Sequence, residues 1–192
     1  MDPYSLPAGL PVPADDGAAR HLSGMRLAPL ALPATRGDDV VLADLEGWSV
    51  VFAYPRTGRP GEELPGGGEE AWNAIPGARG CTPELCGVRD DHSALEGLGA
   101  RVFGLSTQDD AYQREVAERL ALPYPLLSDD ALALTRALDL PTFEVDGMTL
   151  LRRLTLLVRD GRVEQVAYPV FPPDAAAAQA LGLLREAQAG AA

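Results

Sequence analysis

WSVVFAYP, residues 48–55, decides the fold. Five of the first seven side chains are β-branched or aromatic: Trp48, Val50, Val51, Phe52 and Tyr54. The run is short, and Pro55 stops it, so it reads as a buried strand. Upstream, residues 40–45 alternate enough to form a second short strand. Further upstream, residues 1–25 are rich in Pro, Ala and Gly without periodicity and read as a loosely ordered N-terminal arm.

Downstream of Pro55, residues 56–80 are rich in Gly, Pro and Glu and read as a long loop. A helix follows over 82–98, where Leu85, Val88, His92 and Leu95 fall at helical spacing. The chain then predicts a strand over 101–106 and a helix over 109–122 with Asp109 and Asp110 near its start. A short strand over 124–127 and a helix over 129–138, capped by Ser128, come next. A strand over 151–159 turns at Asp160-Gly161 into a strand over 163–170. A terminal Ala/Leu helix over 173–187 has Pro near its start. Strands that alternate with helices and finish in a hairpin and a helix imply an α/β fold, with a mixed central β-sheet flanked by helices. A thioredoxin-like arrangement is the economical choice.

With 192 residues, 46% of them apolar, the chain suits one domain over 26–192, with 56–80 as a long loop within it. No apolar run approaches the ~18 residues of a membrane span. The first ten residues carry no basic residue and do not read as a secretory signal, so a cytoplasmic location is the default expectation. The net charge is −12, and all sixteen basic residues are arginines. An acidic surface argues against nucleic acid as partner and is compatible with a small neutral substrate. No GxGxxG or P-loop pattern occurs.

Only two cysteines are present, Cys81 and Cys86. Near neighbours close a short loop, which constrains the unfolded chain little, so a bridge between them points to chemistry rather than to structure. Cys81 opens the helix that begins CTPELC. Free N–H groups and partial positive charge at a helix N-terminus favour a thiolate, the nucleophilic form of cysteine. Pro83 and Glu84 suit the first turn. In an intact helix, residues five apart stand about 8.6 Å apart at Cα. A disulfide needs roughly 4.4–6.8 Å. A bridge therefore requires the helix start to unwind. Two other readings stay open here: a pair of inert buried thiols, and a metal site completed by His92, although the spacing fits no common zinc pattern.

The segment GCTPELCGVRD resembles the active-site segment of the peroxiredoxins, specifically the Q type, also called bacterioferritin comigratory protein. RVFGLSTQD, PLLSDD and RRLTLLV match later landmarks in the right order, so the resemblance runs from about Met25 to Ala187. It implies a thioredoxin-dependent hydroperoxide reductase that needs no metal, haem, flavin or nicotinamide. Cys81 would be oxidised by hydrogen peroxide or an organic hydroperoxide to a sulfenic acid. Cys86 would resolve it as an intramolecular disulfide, and thioredoxin or another dithiol reductant would restore both thiols. Since both cysteines lie in one helix, a monomer suffices. Arg153 matches the family arginine that approaches the peroxidatic sulfur, and Arg152 should point the other way. Pro55 matches the family's active-site proline. Glu84 matches a glutamate expected to orient an arginine.

The chain departs from that pattern twice. The family places a Thr or Ser three residues before the reactive cysteine, where Ala78 stands here. It also joins the proline to the cysteine by a short link, where 25 residues intervene here. The expectation is that the insertion folds over the pocket and that Thr57 supplies the missing hydroxyl. Trp72 and Ile75 are candidates to pack it down; Arg56 and Arg79 flank it. His21 should be exposed, and His92 reads as a satisfied boundary histidine rather than a base. Two rival functions remain: a single-cysteine peroxidase that uses an external thiol, and a redox sensor with the same switch but no fast turnover.

Overall fold

The computed structural model describes residues 6–190. Its centre is β3, Trp48–Ala53, which pairs in parallel with β4, Ala100–Ser106, and antiparallel with β8, Leu154–Arg159. β5, Leu126–Ser128, flanks β4, and β9, Arg162–Ala167, flanks β8, so the mixed five-stranded order is β5-β4-β3-β8-β9. The Asp160-Gly161 turn has positive φ at both residues, 50° and 70°, as a two-residue hairpin requires.

Strand alternation sends Val50, Phe52 and Tyr54 into one core and Val51 and Ala53 into the other. The first core is covered by α2, Cys81–Gly97, α3, Asp110–Arg119, and α5, Ala176–Gly190. The second is covered by α4, Ala133–Leu138, and by Ala19, Leu22 and Leu27 of the N-terminal segment. β1, Ala31–Leu32, and β2, Val40–Val41, form a small separate ladder. No helix among the described residues is long and apolar enough to cross a membrane.

Several expectations need correction. The arm is not loose in its second half. Leu22 is fully buried, Gly24 N–H donates to Val163 O, and His21, though exposed, meets Leu138 O through Nε2 at 2.8 Å. Apolar residues scattered among Pro and Gly gave no period, yet they cover the sheet's second face. The arm's residues 1–5 lie outside the described residues. Ser128 does not cap α4: its hydroxyl donates to Gln108 O. Asp129 takes that part, accepting from Leu134 N, Thr135 N and the Thr135 hydroxyl. Residues 142–151 form a hairpin of β6, Thr142–Val145, and β7, Met148–Leu151, turning at Asp146-Gly147. Arg152 and Arg153 therefore lie at the junction before β8 rather than inside one strand. The loop over 56–80 also contains a short helix, α1, Glu69–Ala74.

α1 and the β6–β7 hairpin share a third, smaller core. Trp72, Ala78 and Leu150 are buried in it, with Leu64, Ile75, Phe143 and Met148 around them. Trp72 is 2% exposed. Its truncation to Ala would cost about 3–5 kcal/mol, which makes it the main anchor of the insertion on the body.

Candidate active site

Cys81 is the first residue of α2 and is 3% exposed. Gly80 precedes it with φ 105°, and a Cβ there would stand 2.6 Å from Pro173 Cγ, so only glycine brings the chain into the helix at this angle. Arg153, itself 2% exposed, donates from Nη2 to Cys81 Sγ at 3.3 Å. The same nitrogen reaches Gly77 O and Arg79 O, while Nη1 pairs with the buried Glu84 carboxylate. Glu84, one turn along α2, thus holds the guanidinium against the sulfur. A cation so placed stabilises a thiolate and can donate to an oxygen bonded to that sulfur. With a proton on it, the sulfur can donate to Ala78 O at 3.7 Å.

Above Cys81 lies a cleft of about 600 Å³ whose wall is largely the insertion. Thr57 lines it and is 1% exposed. Gln108 holds Thr57 on both sides: its Oε1 accepts from Thr57 N at 2.9 Å and its Nε2 donates to Thr57 O at 3.2 Å. Those two backbone contacts fix the orientation of the amide. The Thr57 hydroxyl, 3.1 Å from the same Oε1, must then donate to it. Nothing among the described residues donates to its lone pairs. Tyr112 O–H adds a fourth contact to Thr57, on its carbonyl oxygen. Ala78 contributes nothing polar to the cleft, because its methyl sits in the Trp72 core.

Cys86 is also on α2, a free thiol 8% exposed. Burial pushes its pKa up, opposed in part by the Arg89 guanidinium. Tyr124 beside it donates to Leu85 O at 2.8 Å, and burial keeps that phenol well above its ordinary pKa. Burial does the same for Tyr54, whose hydroxyl donates to Gln113 Oε1. His92 does not join the cysteines. It stacks on Tyr124 and places Nδ1 3.3 Å from Glu96.

The Redoxin family model matches residues 8–183. The chain belongs to the redoxin family. Among its relatives, chloroplastic peroxiredoxin Q of Gentiana triflora is 27% identical over 188 residues, covering 95% of this redoxin and 78% of the relative. Peroxiredoxin Bcp of Bacillus subtilis (strain 168) is 28% identical over 145 residues, covering 73% and 80%. Among solved structures, peroxidoxin BcpB of Mycobacterium tuberculosis superposes with a TM-score of 0.67 at 27% identity, over 85% of this chain and 96% of that one. Peroxiredoxin Q of Xanthomonas campestris shares the fold, with a TM-score of 0.64 at 23% identity. This redoxin is of the peroxiredoxin Q/Bcp type, with a thioredoxin-like fold.

The sequence-predicted residues divide in this redoxin. Cys81, Arg153 and Glu84 meet in one cluster, and Thr57 faces the same cleft as Cys81. Pro55 and Glu84, expected in the substrate pocket, are not on its wall. Pro55 is buried with its carbonyl accepting from Ser106 Oγ, and Glu84 turns inward because its charge is satisfied on Arg153. Cys86 is not beside Cys81, since both remain in a continuous helix. Gln108 and Tyr112 were not anticipated. Each clasps Thr57 through backbone atoms, which leaves no signature of residue type at fixed spacing.

Proposed function

We propose that this protein is a thiol-dependent peroxidase that reduces hydrogen peroxide and organic hydroperoxides. The supporting observation is a buried sulfur at a helix start, 3.3 Å from a guanidinium nitrogen and opening on a cleft. The Cys81 thiolate attacks the terminal peroxide oxygen. An S–O bond forms as the O–O bond breaks, and the leaving oxygen takes a proton to depart as water or an alcohol. Arg153 donates to the sulfur-bound oxygen as charge shifts, and Thr57 accepts from the peroxide O–H. The start of α2 then unwinds. The Cys86 thiolate attacks the sulfenic sulfur, a disulfide forms, and hydroxide leaves as water. A dithiol reductant of the thioredoxin class returns both thiols. One chain carries both sulfurs, so a monomer suffices.

Mass spectrometry after one equivalent of peroxide, with a turnover assay, tests the reading. Wild type should lose two hydrogens, Cys86→Ser should gain one oxygen and recycle poorly, and Cys81→Ser should do neither. A stable oxygen adduct on wild type replaces the disulfide with the single-cysteine route, which the separation of the thiols along one helix would favour. Disulfide formation with negligible turnover on thioredoxin and its reductase would make the protein a sensor.

A further inference from the structure

At about 600 Å³ the cleft is far larger than hydrogen peroxide requires and lies in the range that holds a drug-sized ligand. It is also out of step with the molecule's charge. Four arginines line it, one more than its glutamates, in a chain of net charge −12. Three of those arginines already have carboxylate partners. Arg79 Nη2 lies 3.4 Å from Glu69, Arg59 Nε 3.6 Å from Glu115, and Arg119 Nε 2.7 Å from Glu115.

Arg56 makes no ion pair among the described residues. Its Cζ stands 4.8 Å from the centre of the Tyr112 ring, and Nη1 is 3.9 Å from Met148 Sδ, a weak acceptor. These contacts place the guanidinium but leave its charge and most of its N–H groups unanswered. Leu64, Trp72 and Pro83 give the lining an apolar share. We propose that Arg56 is an anion subsite of this cleft, and that the preferred substrates are organic hydroperoxides whose carbon skeleton carries a carboxylate. The carboxylate sits on Arg56 and the skeleton lies along the apolar wall, which brings the –OOH to Cys81. This rests on the peroxidase reading. The reacting bonds are those already described, the leaving group is the alkoxide, protonated to an alcohol, and the carboxylate is unchanged.

The test compares a medium-chain hydroperoxy acid with its methyl ester, which share a reacting centre and differ in charge. The second-order rate constant for Cys81 oxidation is measured on wild type, Arg56→Met and Arg56→Lys. Wild type should favour the acid about tenfold at low salt, the effect expected of one charge-assisted contact, and the preference should shrink as salt rises. Arg56→Met should bring the ratio near one, and Arg56→Lys should restore part of it. A ratio that Arg56→Met does not change overturns the subsite and leaves the peroxidase reading intact. Calorimetry of the corresponding hydroxy acid with Cys81→Ser, with and without Arg56→Met, reads binding apart from reaction. Binding that depends on Arg56 without any reactivity in wild type would keep the subsite and remove the peroxidase reading.

Discussion

The reacting centre depends on side chains that hold one another rather than on any one alone. Arg153 reaches the sulfur because Glu84 fixes its other nitrogen, and Thr57 faces the cleft because Gln108 clasps its backbone. Thr57→Val keeps the shape and removes only the hydroxyl, so Gln108 Oε1 still has the Thr57 N–H. Peroxide reactivity should fall about tenfold or more, with roughly 1 kcal/mol lost in stability. Gln108→Leu leaves the hydroxyl but frees the loop, and should lower the same rate constant. Stopped-flow measurement of Cys81 oxidation checks both, and an unchanged rate in Thr57→Val takes Thr57 out of the mechanism. At this scale the meeting of Arg153 with Cys81 follows the family pattern, whereas Cys86 stays apart along the same helix. The sequence was unreadable at Gln108, because a glutamine that binds main-chain atoms 51 residues away has no local pattern. Ala78 shows the opposite case. The missing hydroxyl was plain, but only packing reveals that its methyl serves the Trp72 core.

The first turns of α2 must give way if the two sulfurs are to meet, and their surroundings decide which way. Upstream of Cys81 the chain is pinned at three successive residues: Gly77 O and Arg79 O by Arg153, and the Ala78 methyl by the Trp72 core. The unwinding should therefore run forward from Cys81 and break the Tyr124 contact to Leu85 O. Cys86 is shielded in the intact helix, and burial raises its pKa. A protonated thiol does not attack a sulfenic acid, so little of Cys86 is reactive at neutral pH. Disulfide formation should accelerate as pH rises through the ordinary thiol range near ~8.5. Rapid-quench mass spectrometry of the sulfenic form measures this, and a rate constant flat from about pH 6 to 9 would falsify it. The hairpin that helps pin this region was legible in principle. Asp146-Gly147 carries the same turn signal as Asp160-Gly161, with φ of 49° and 74°. Its strands are short and only half-buried, so their hydrophobic pattern was faint beside that of residues 48–54.

Across the whole molecule, the arginine-only composition makes one global property unusually easy to interpret. Sixteen arginines and no lysine mean that no basic side chain titrates near pH 10. Phenols titrate there in an unfolded chain, and Tyr54 and Tyr124 lie in the first core. Both are fully or almost fully buried, and burial raises their pKa values well above 10.0 in the folded state. Tyr112 shifts the same way. In the unfolded chain these phenols ionise near the ordinary value of about 10. Below that pH both states hold the protons, and ionisation contributes nothing to stability. Above it the unfolded state releases protons that the folded state keeps, so stability falls as pH rises. Each fully shifted tyrosine contributes a slope of about 1.4 kcal/mol per pH unit until its folded-state pKa is reached. Urea midpoints should thus decline steeply above about pH 10. Tyr124→Phe should lie lower at neutral pH, having lost the Leu85 contact, but should decline less steeply. A slope unchanged in both Tyr124→Phe and Tyr54→Phe would mean that these phenols are not held protonated by the fold.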